Sequence, residues 1–124
     1  MGIPVEVHPG ETRVPVIPQT VEHLVKLGAE VEIESGLGVK CFFTDQDYST
    51  AGAKISSDRK GLVASSDIVL RLRKPPVEEI AWQKKNSLHI SYLDPFNEKE
   101  LLDKFIEHNV NAVSMELIPR TTLA

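Results

Sequence analysis

The stretch Asp67-Ile68-Val69-Leu70-Arg71-Leu72-Arg73-Lys74-Pro75-Pro76 decides the fold class of this chain. Its β-branched and mostly apolar side chains from Ile68 to Leu72 are typical of a β-strand, and the two prolines end the run. We therefore predict a central strand here, with Ile68 and Val69 buried in the core.

Strand-like and helical runs alternate on either side of this stretch. The predicted strands cover 3–7, 29–34, 68–72, 88–93 and 110–115, with a short extended piece at 54–57, and the predicted helices cover 18–28, 44–51, 57–63, 77–82 and 98–108. Such alternation predicts an α/β fold with a mostly parallel sheet flanked by helices on both faces.

Two of these segments are amphipathic and predict which side chains are buried. Strict alternation from Ala29 to Glu34 puts Ala29, Val31 and Ile33 on one face and three glutamates on the other, so this strand should be exposed on one face or lie at an edge. In the helix at 98–108, four residues at helical spacing should point inward, namely Leu101, Leu102, Phe105 and Ile106.

Composition and charge exclude several function classes. The 124 residues fit one domain, and 14 lysines and arginines against 18 aspartates and glutamates give a net charge of −4. That balance lacks the basic excess that binding to nucleic acid requires, so no nucleic-acid partner is expected. No apolar run approaches the length of a membrane span, so we expect no direct membrane insertion.

Parallel sheets of this kind bind ligands beyond the carboxyl ends of their strands, and three arginines follow predicted strands. Arg13 lies in the loop after the first strand, where it could hold a carboxylate or phosphate bidentately or form a salt bridge that pins the loop. Arg73 ends the central strand, where it could serve an anionic ligand or belong to a solvated strand end. Arg120 follows the last strand, either at the binding edge or in a frayed terminus.

Other motifs give weaker signals. Gly36-Leu37-Gly38 follows a strand, but Cys41 occupies the third glycine position of a dinucleotide fingerprint, so a plain turn is the favoured interpretation. The four histidines do not show the spacing of a helical zinc site, and no metal is expected. His89 fits a hydrogen-bonded structural residue, whereas His8 either faces a cleft or lies in a solvated turn. No residue is assigned as catalytic with certainty.

Six segments together resemble the N-terminal part of the alanine dehydrogenase and pyridine nucleotide transhydrogenase family, and the resemblance covers essentially the whole chain. They are Gly10-Glu11-Thr12-Arg13-Val14, Pro18 with the helix to Leu27-Gly28, Glu34-Ser35-Gly36-Leu37-Gly38, Ala51-Gly52-Ala53, Ser66-Asp67-Ile68-Val69-Leu70 and Ile118-Pro119-Arg120. The resemblance implies a Rossmann-like or flavodoxin-like three-layer domain, the N-terminal domain of a two-domain subunit. Residues 1–124 would form that domain, and the Rossmann NAD-binding domain would be absent from this chain.

At the substrate cleft, the two branches of this family differ. Alanine dehydrogenases keep an arginine, a lysine and a histidine there, and the corresponding positions here resemble Arg13, Arg73 and Asp94. Arg13 and Arg73 are therefore candidate substrate or cleft residues, whereas Asp94 would repel the carboxylate of pyruvate. The segments from Pro95 to Leu102 and from Met115 to Arg120 look more like the alpha subunit of proton-translocating NAD(P) transhydrogenase, in which the arginine matching Arg120 reaches toward the nicotinamide end of NAD(H).

The resemblance implies a function in which the complete subunit holds NADH for hydride transfer to NADP, coupled to proton translocation. The implied partners are the Rossmann domain of the same subunit, the NADP-binding and membrane components, and a second copy in a homodimer. The implied location is cytoplasmic and peripheral to the inner membrane, or the mitochondrial matrix in a eukaryote. This chain alone is expected to be inactive and to bind NAD weakly or not at all.

Two alternatives remain open at this point. One is an alanine dehydrogenase-like or lysine-pathway dehydrogenase domain in which Arg13 and Arg73 grip a substrate carboxylate. The other is a free-standing, non-catalytic interaction module. The chain stops four residues after Arg120, and we expect it to be a portion of a larger architecture.

Overall fold

One sheet carries six strands, all parallel, in the computed structural model, which describes residues 1–118. The strands are β1 (Gly2–Ile3), β2 (Glu32–Glu34), β3 (Lys54–Ser56), β4 (Ile68–Arg73), β5 (Leu88–Tyr92) and β6 (Asn111–Ser114). The helices are α1 (Pro18–Lys26), α2 (Asp45–Thr50), α3 (Arg59–Ser65), α4 (Val77–Ile80) and α5 (Lys99–Glu107), with 3₁₀ turns at Val39–Cys41 and Met115–Leu117.

The strand order β3-β2-β1-β4-β5-β6 is that of a doubly wound, Rossmann-like sheet. It confirms the predicted α/β class, and the sheet is parallel throughout rather than only mostly parallel. The order reverses between β1 and β4, and sheets of this type bind ligands outside the carboxyl ends of the strands at such a reversal. A ligand site is therefore expected at the loops that follow β1 and β4.

Strand β4 is central, as predicted, because it pairs with β1 on one side and β5 on the other. Val69 is fully buried against Leu62 and Val63 of α3. Ile68 is only half-buried, so the prediction that both residues lie in the core is wrong for Ile68. It stands at the first position of the strand, where the sheet and its helices cover less of the side chain.

Strand β2 shows the predicted alternation and lies inside the sheet rather than at its edge. Val31 and Ile33 are buried in a core cluster with Val21 of α1 and Tyr48 of α2. The extended piece predicted at 54–57 is β3, and it covers the outer side of β2, so the structure excludes the edge position, which was one of the two alternatives for this strand. The glutamate face is also partly covered, because the Glu34 side chain pairs with an arginine at the start of α3.

Helix boundaries follow local sequence signals. Pro18 is the first residue of α1, where its missing N–H costs nothing, and Gly28 follows the helix with a φ of +97° that favours glycine.

In α5, Leu101 and Phe105 are buried at i, i+4 spacing, and Leu102 is partly buried. Ile106 is 75% exposed, so its predicted inward position is wrong. One residue beyond Phe105, it is rotated by about 100° away from the buried stripe.

Charged side chains, rather than apolar contacts alone, fasten the carboxyl ends of the strands. Glu79 of α4 accepts hydrogen bonds from Arg71 of β4 (2.8 Å) and Arg59 of α3 (2.9 Å) through the same oxygen, Oε1. Arg59 also donates to Glu34 of β2 at 2.7 Å and to the Val5 carbonyl at 2.8 Å. We call Glu34, Arg59, Arg71 and Glu79 the ion network.

His89 of β5 lies beside this network and is fully buried. Its Nδ1 lies 2.9 Å from Gln83 Oε1 and its Nε2 lies 2.8 Å from Ser91 Oγ, while its ring packs on Phe105. Burial, with a smaller effect of the Arg71 charge, lowers the pKa of His89 to about 3. The histidine is thus neutral and hydrogen-bonded, which is the structural arrangement favoured from the sequence.

Truncating the buried valine of β4 should destabilise the fold far more than truncating an exposed one. Val69→Ala should lower the free energy of unfolding by about 2–3 kcal/mol, because it removes two methyl groups and leaves a cavity. The matched substitution Val7→Ala, at a half-exposed side chain, should change it by less than about 0.5 kcal/mol. Urea denaturation of both variants measures the difference, and equal losses would contradict the central position of β4.

Candidate functional site

The loops at the carboxyl edge of the sheet enclose a cleft of about 490 Å³. Its walls come from the carboxyl ends of β4 and β5 and from the loops that follow β1, β4, β5 and β6, at the reversal of strand order and beside it. The lining residues are Arg13, Leu72, Arg73, Lys74, Tyr92, Asp94 and Glu116. A second cavity of about 440 Å³ lies at the amino ends of the strands, on the side of the sheet where this architecture does not place its ligands.

Glu11 holds Arg13 in place. Oε1 of Glu11 lies 2.9 Å from Arg13 Nη2, and Oε2 accepts hydrogen bonds from Arg13 Nε (3.1 Å) and from the Arg13 backbone N–H (2.9 Å). The Glu11 side chain is 4% exposed, whereas the Arg13 side chain is 69% exposed. Hydrogen bonds from Arg13 lower the pKa of Glu11 to about 2. The Arg13 side chain is thus exposed to solvent, and the buried, ionised carboxylate of Glu11 fixes its position.

Arg73 is held by three groups of the same first loop. Glu6 accepts hydrogen bonds from the backbone N–H groups of Leu72 (2.9 Å) and Arg73 (2.8 Å), where the register between β4 and β5 shifts. The guanidinium lies 3.6 Å from Glu11 Oε1 through Nη1 and 3.1 Å from His8 Nε2 through Nη2. Because arginine can only donate, His8 must accept with Nε2, which leaves the proton on Nδ1, 3.2 Å from the Pro9 carbonyl oxygen.

The segments after β5 and β6 line the cleft with acidic side chains. Asp94 follows β5 with a φ of +52°, and its backbone N–H donates to Glu116 Oε1 at 2.9 Å. Asn97 donates to Asp94 Oδ1 at 2.9 Å and fixes that carboxylate. Lys74 is paired with Glu98 and adds no net charge. The cleft therefore has a cationic wall, Arg13 and Arg73, and an acidic wall, Asp94 and Glu116.

The structure brings two of the three predicted arginines together. Arg13 and Arg73 line one cleft and share the carboxylate of Glu11, so the loop-pinning salt bridge considered for Arg13 is present. Arg120 lies outside the described residues. Sequence reasoning did not single out Glu6 and Glu11 as the residues that hold the arginines. The nearest signal was the spacing of Glu11 two residues before Arg13, and nothing in the sequence connects Glu6 with β4.

The glycine turn after β2 does not fit a dinucleotide phosphate site. The Gly36 N–H donates to Asp45 Oδ1 at 2.8 Å instead of pointing outward. A side chain at Gly38 would approach Phe43 and Tyr48 to 2.7 Å, so this glycine serves close internal packing. A 3₁₀ turn, and not a long helix, follows the pair. The residues of this turn thus support the interpretation as a plain turn.

Among residues 1–118, no group of three or more histidine, cysteine, aspartate or glutamate side chains could hold a metal ion. No helix in the same range has both the length and the apolar character needed to cross a membrane.

Removing the charge of Glu11 should weaken the fold in a pH-dependent way. Because the folded state depresses its pKa from 4.5 to about 2, Glu11 stabilises the fold above pH 4.5, and this contribution is lost as the pH falls toward 2. Glu11→Gln should cost roughly 1–3 kcal/mol at pH 7, through lost charge-assisted hydrogen bonds, and the variant should depend less on pH below 4.5 than the unaltered chain. Urea denaturation at several pH values measures both effects, with Glu22→Gln, in an exposed ion pair, as the control. A pH dependence that Glu11→Gln leaves unchanged would contradict the assignment.

Comparison with known proteins identifies the family. The profile of the family described as "Alanine dehydrogenase/PNT, N-terminal domain" matches residues 2–124. The chain is 34% identical over all of its 124 residues to NAD(P) transhydrogenase subunit alpha of Haemophilus influenzae, of which it covers 24%. It is 33% identical over its whole length to NAD(P) transhydrogenase subunit alpha of Cereibacter sphaeroides, of which it also covers 24%.

The other branch of the family is similar to nearly the same extent. Alanine dehydrogenase of Staphylococcus haemolyticus is 32% identical over 118 residues, which is 95% of this chain and 31% of that protein. Among solved structures, transhydrogenase from Sinorhizobium meliloti superposes with a TM-score of 0.90 at 28% identity, covering 98% of this chain and 37% of the other. An L-alanine dehydrogenase gives 0.85 at 31% identity, covering 92% and 32%. The chain thus spans about a third or less of the curated relatives it matches, and it belongs to the alanine dehydrogenase/PNT N-terminal domain family.

Proposed function

We propose that this chain is the N-terminal domain of the NAD(H)-binding alpha subunit of an NAD(P) transhydrogenase. It would support hydride transfer between NADH and NADP, coupled to proton translocation. The observation that carries the proposal is the identity of 33–34% with transhydrogenase alpha subunits over the whole length of the chain. Asp94 supports it, since the acidic wall disfavours the carboxylate substrate of an alanine dehydrogenase.

The residues of this chain would orient the cofactor and would not carry out the chemistry themselves. NADH, when bound, supplies the hydride. Arg120 is the candidate cofactor-binding residue, donating hydrogen bonds near the nicotinamide carboxamide. Arg13 and Arg73 would brace the cleft, since Glu11 holds Arg13 and lies within 3.6 Å of Arg73.

The complete protein would contain more than these 124 residues. NAD would be held largely by a Rossmann domain of the same subunit, and NADP by a separate component that acts with the membrane component. The subunit would be a homodimer. It would lie in the cytoplasm at the inner membrane, or in the mitochondrial matrix of a eukaryote.

A second candidate function is an alanine dehydrogenase-like or lysine-pathway dehydrogenase. The convergence of Arg13 and Arg73 in one cleft favours it, because two guanidinium groups can grip a substrate carboxylate. The 32% identity to alanine dehydrogenase adds support. A non-catalytic interaction module is the third alternative, and no observation specifically favours it.

The two enzyme proposals differ in the reaction that the complete protein catalyses. We expect hydride transfer from NADH to an NADP analogue when the full-length protein is assayed with its partner components. In a separate assay with alanine and NAD, we expect no NAD reduction above background. Robust alanine-dependent NAD reduction would overturn the transhydrogenase proposal and favour the dehydrogenase.

Arg120→Ala tests the proposed contact with the cofactor in the complete protein. Because a misplacement of reacting atoms by about 1 Å can cost on the order of 100-fold in rate, hydride transfer should fall strongly while the melting temperature changes little. Arg13→Ala is the comparison variant. If Arg13 only pins its loop, this variant should lose stability rather than gain or lose an amino-acid dehydrogenase activity. Unchanged hydride transfer in Arg120→Ala would remove that residue from the site.

A further inference from the structure

Strand β4 carries two arginines that serve different parts of the molecule. The Arg71 side chain is 3% exposed and binds Glu79 of α4. The Arg73 side chain is 38% exposed and contacts Glu11 and His8 of the first loop. Residues two apart in a regular strand point to the same face of the sheet, so an unbroken β4 would direct both arginines alike. The different environments of the two arginines therefore require an irregular backbone between them.

The pairing of β4 with β5 shows such an irregularity. Leu70 pairs with Ile90, and the next pair is Arg73 with Tyr92. Three steps along β4 therefore match two steps along β5. One extra residue on one strand makes a β-bulge, which bends the strand and re-aims the side chains that follow it. The bulge thus separates the buried arginine from the arginine that lines the cleft.

Strand β1 gives no support to this part of β4. It covers only Gly2–Ile3, and its pairing with β4 joins Gly2 to Val69. Pro4 comes next, and a proline has no N–H group with which to continue a ladder. The backbone N–H groups of β4 beyond Val69 therefore need another acceptor on this side, because an unpaired N–H group away from water costs free energy.

The side chain of Glu6 supplies that acceptor. Its Oε2 accepts a hydrogen bond from the Leu72 N–H at 2.9 Å, and its Oε1 accepts one from the Arg73 N–H at 2.8 Å. Consecutive N–H groups of a regular strand point to opposite sides, whereas those of a bulge can point to the same side. The two oxygens of one carboxylate match two such donors, so Glu6 stabilises the bulged backbone over a regular one.

We propose that Glu6 is the positioning residue of Arg73, because it fixes the bulge in β4 and thereby directs the Arg73 guanidinium into the cleft. Glu6 binds the backbone of Arg73 and forms no ion pair with the guanidinium within residues 1–118, so it acts through the backbone. The inference rests on the proposed function in one respect, namely that the complete protein uses the cleft to which Arg73 belongs.

Two kinds of NMR signal from the unaltered 124-residue chain test this geometry. Correlations through hydrogen bonds should connect the backbone ¹⁵N nuclei of Leu72 and Arg73 to the side-chain carboxyl carbon of Glu6. At about pH 8.5, where the ring is neutral, Nε2 of His8 should show the ¹⁵N shift of an unprotonated nitrogen, because it accepts from Arg73.

The variant Glu6→Gln keeps the shape of the side chain and replaces one acceptor oxygen by an NH₂ donor. The backbone N–H of Leu72 or Arg73 that loses its acceptor should exchange with solvent roughly tenfold faster. The backbone signals of Tyr92 should shift as the bulge relaxes, since β5 lies on the far side of β4 from β1. His8 Nε2 should lose its unprotonated signature as Arg73 turns away.

Two further variants accompany this experiment. Glu30→Gln, at an exposed position before β2, is the matched control and should leave all of these signals unchanged. Glu6→Asp keeps the charge and withdraws it by one methylene group, so it should show the same changes to a smaller extent. It provides the same measurements if Glu6→Gln does not fold.

Several outcomes would overturn the proposal. If Glu6 only anchors its own loop, the variants should change the His8 signals and leave Tyr92 unchanged. Folded variants with unaltered signals of both residues would refute the positioning role, and so would the absence of both correlations to Glu6 in the unaltered chain. The hydride-transfer assay is independent of this test. Its failure would refute the proposed function and leave the role of Glu6 in place.

Discussion

The shared carboxylate of Glu79 is the constraint on which the rest of the carboxyl edge depends. Arg71 is buried in the middle of the sheet, and an unpaired positive charge there would cost several kcal/mol. Glu79 neutralises Arg71 and binds Arg59 with the same oxygen, and Arg59 in turn contacts Glu34 and the carbonyl of Val5. Ion pairs and hydrogen bonds thus tie β2, β4 and the loop after β1 to α3 and α4. Removing one charged side chain of this network would leave its partner without a counter-charge.

The first loop, residues 4–17, connects the ion network to the cleft. Val5, held by the ion network, is followed by Glu6, which takes the backbone N–H groups of Leu72 and Arg73, and then by Glu11, which holds Arg13. Loop 4–17 therefore carries two carboxylates, Glu6 and Glu11, and each of them contacts donors of Arg73 at the end of β4. The loop is long, but its position is set by these pairs rather than by secondary structure.

Much of the fold could be predicted because it depends on local patterns. The composition of the β4 run and the alternation at Val31 and Ile33 are set by which side chains must leave water, and the structure confirms both. The predictions for Ile68 and Ile106 were wrong because burial also depends on what packs against a position, which the sequence pattern does not contain. The edge position of β3 likewise depends on the order of strands in space.

The candidate site was predicted less completely for the same reason. Arg13 and Arg73 could be proposed because both follow predicted strands, but Glu6 and Arg73 are 67 residues apart in sequence, and nothing local marks them as partners.

The left-handed backbone of Asp94 has a consequence for how this cleft can change. A φ of +52° is unfavourable for most side chains, but aspartate, asparagine and histidine adopt it more readily than other non-glycine residues. These three residues carry a negative charge, no charge and a titratable positive charge. The loop therefore offers a position at which mutation can invert the sign of the cleft while the backbone stays where it is, and a change of ligand chemistry at this site needs no change of fold.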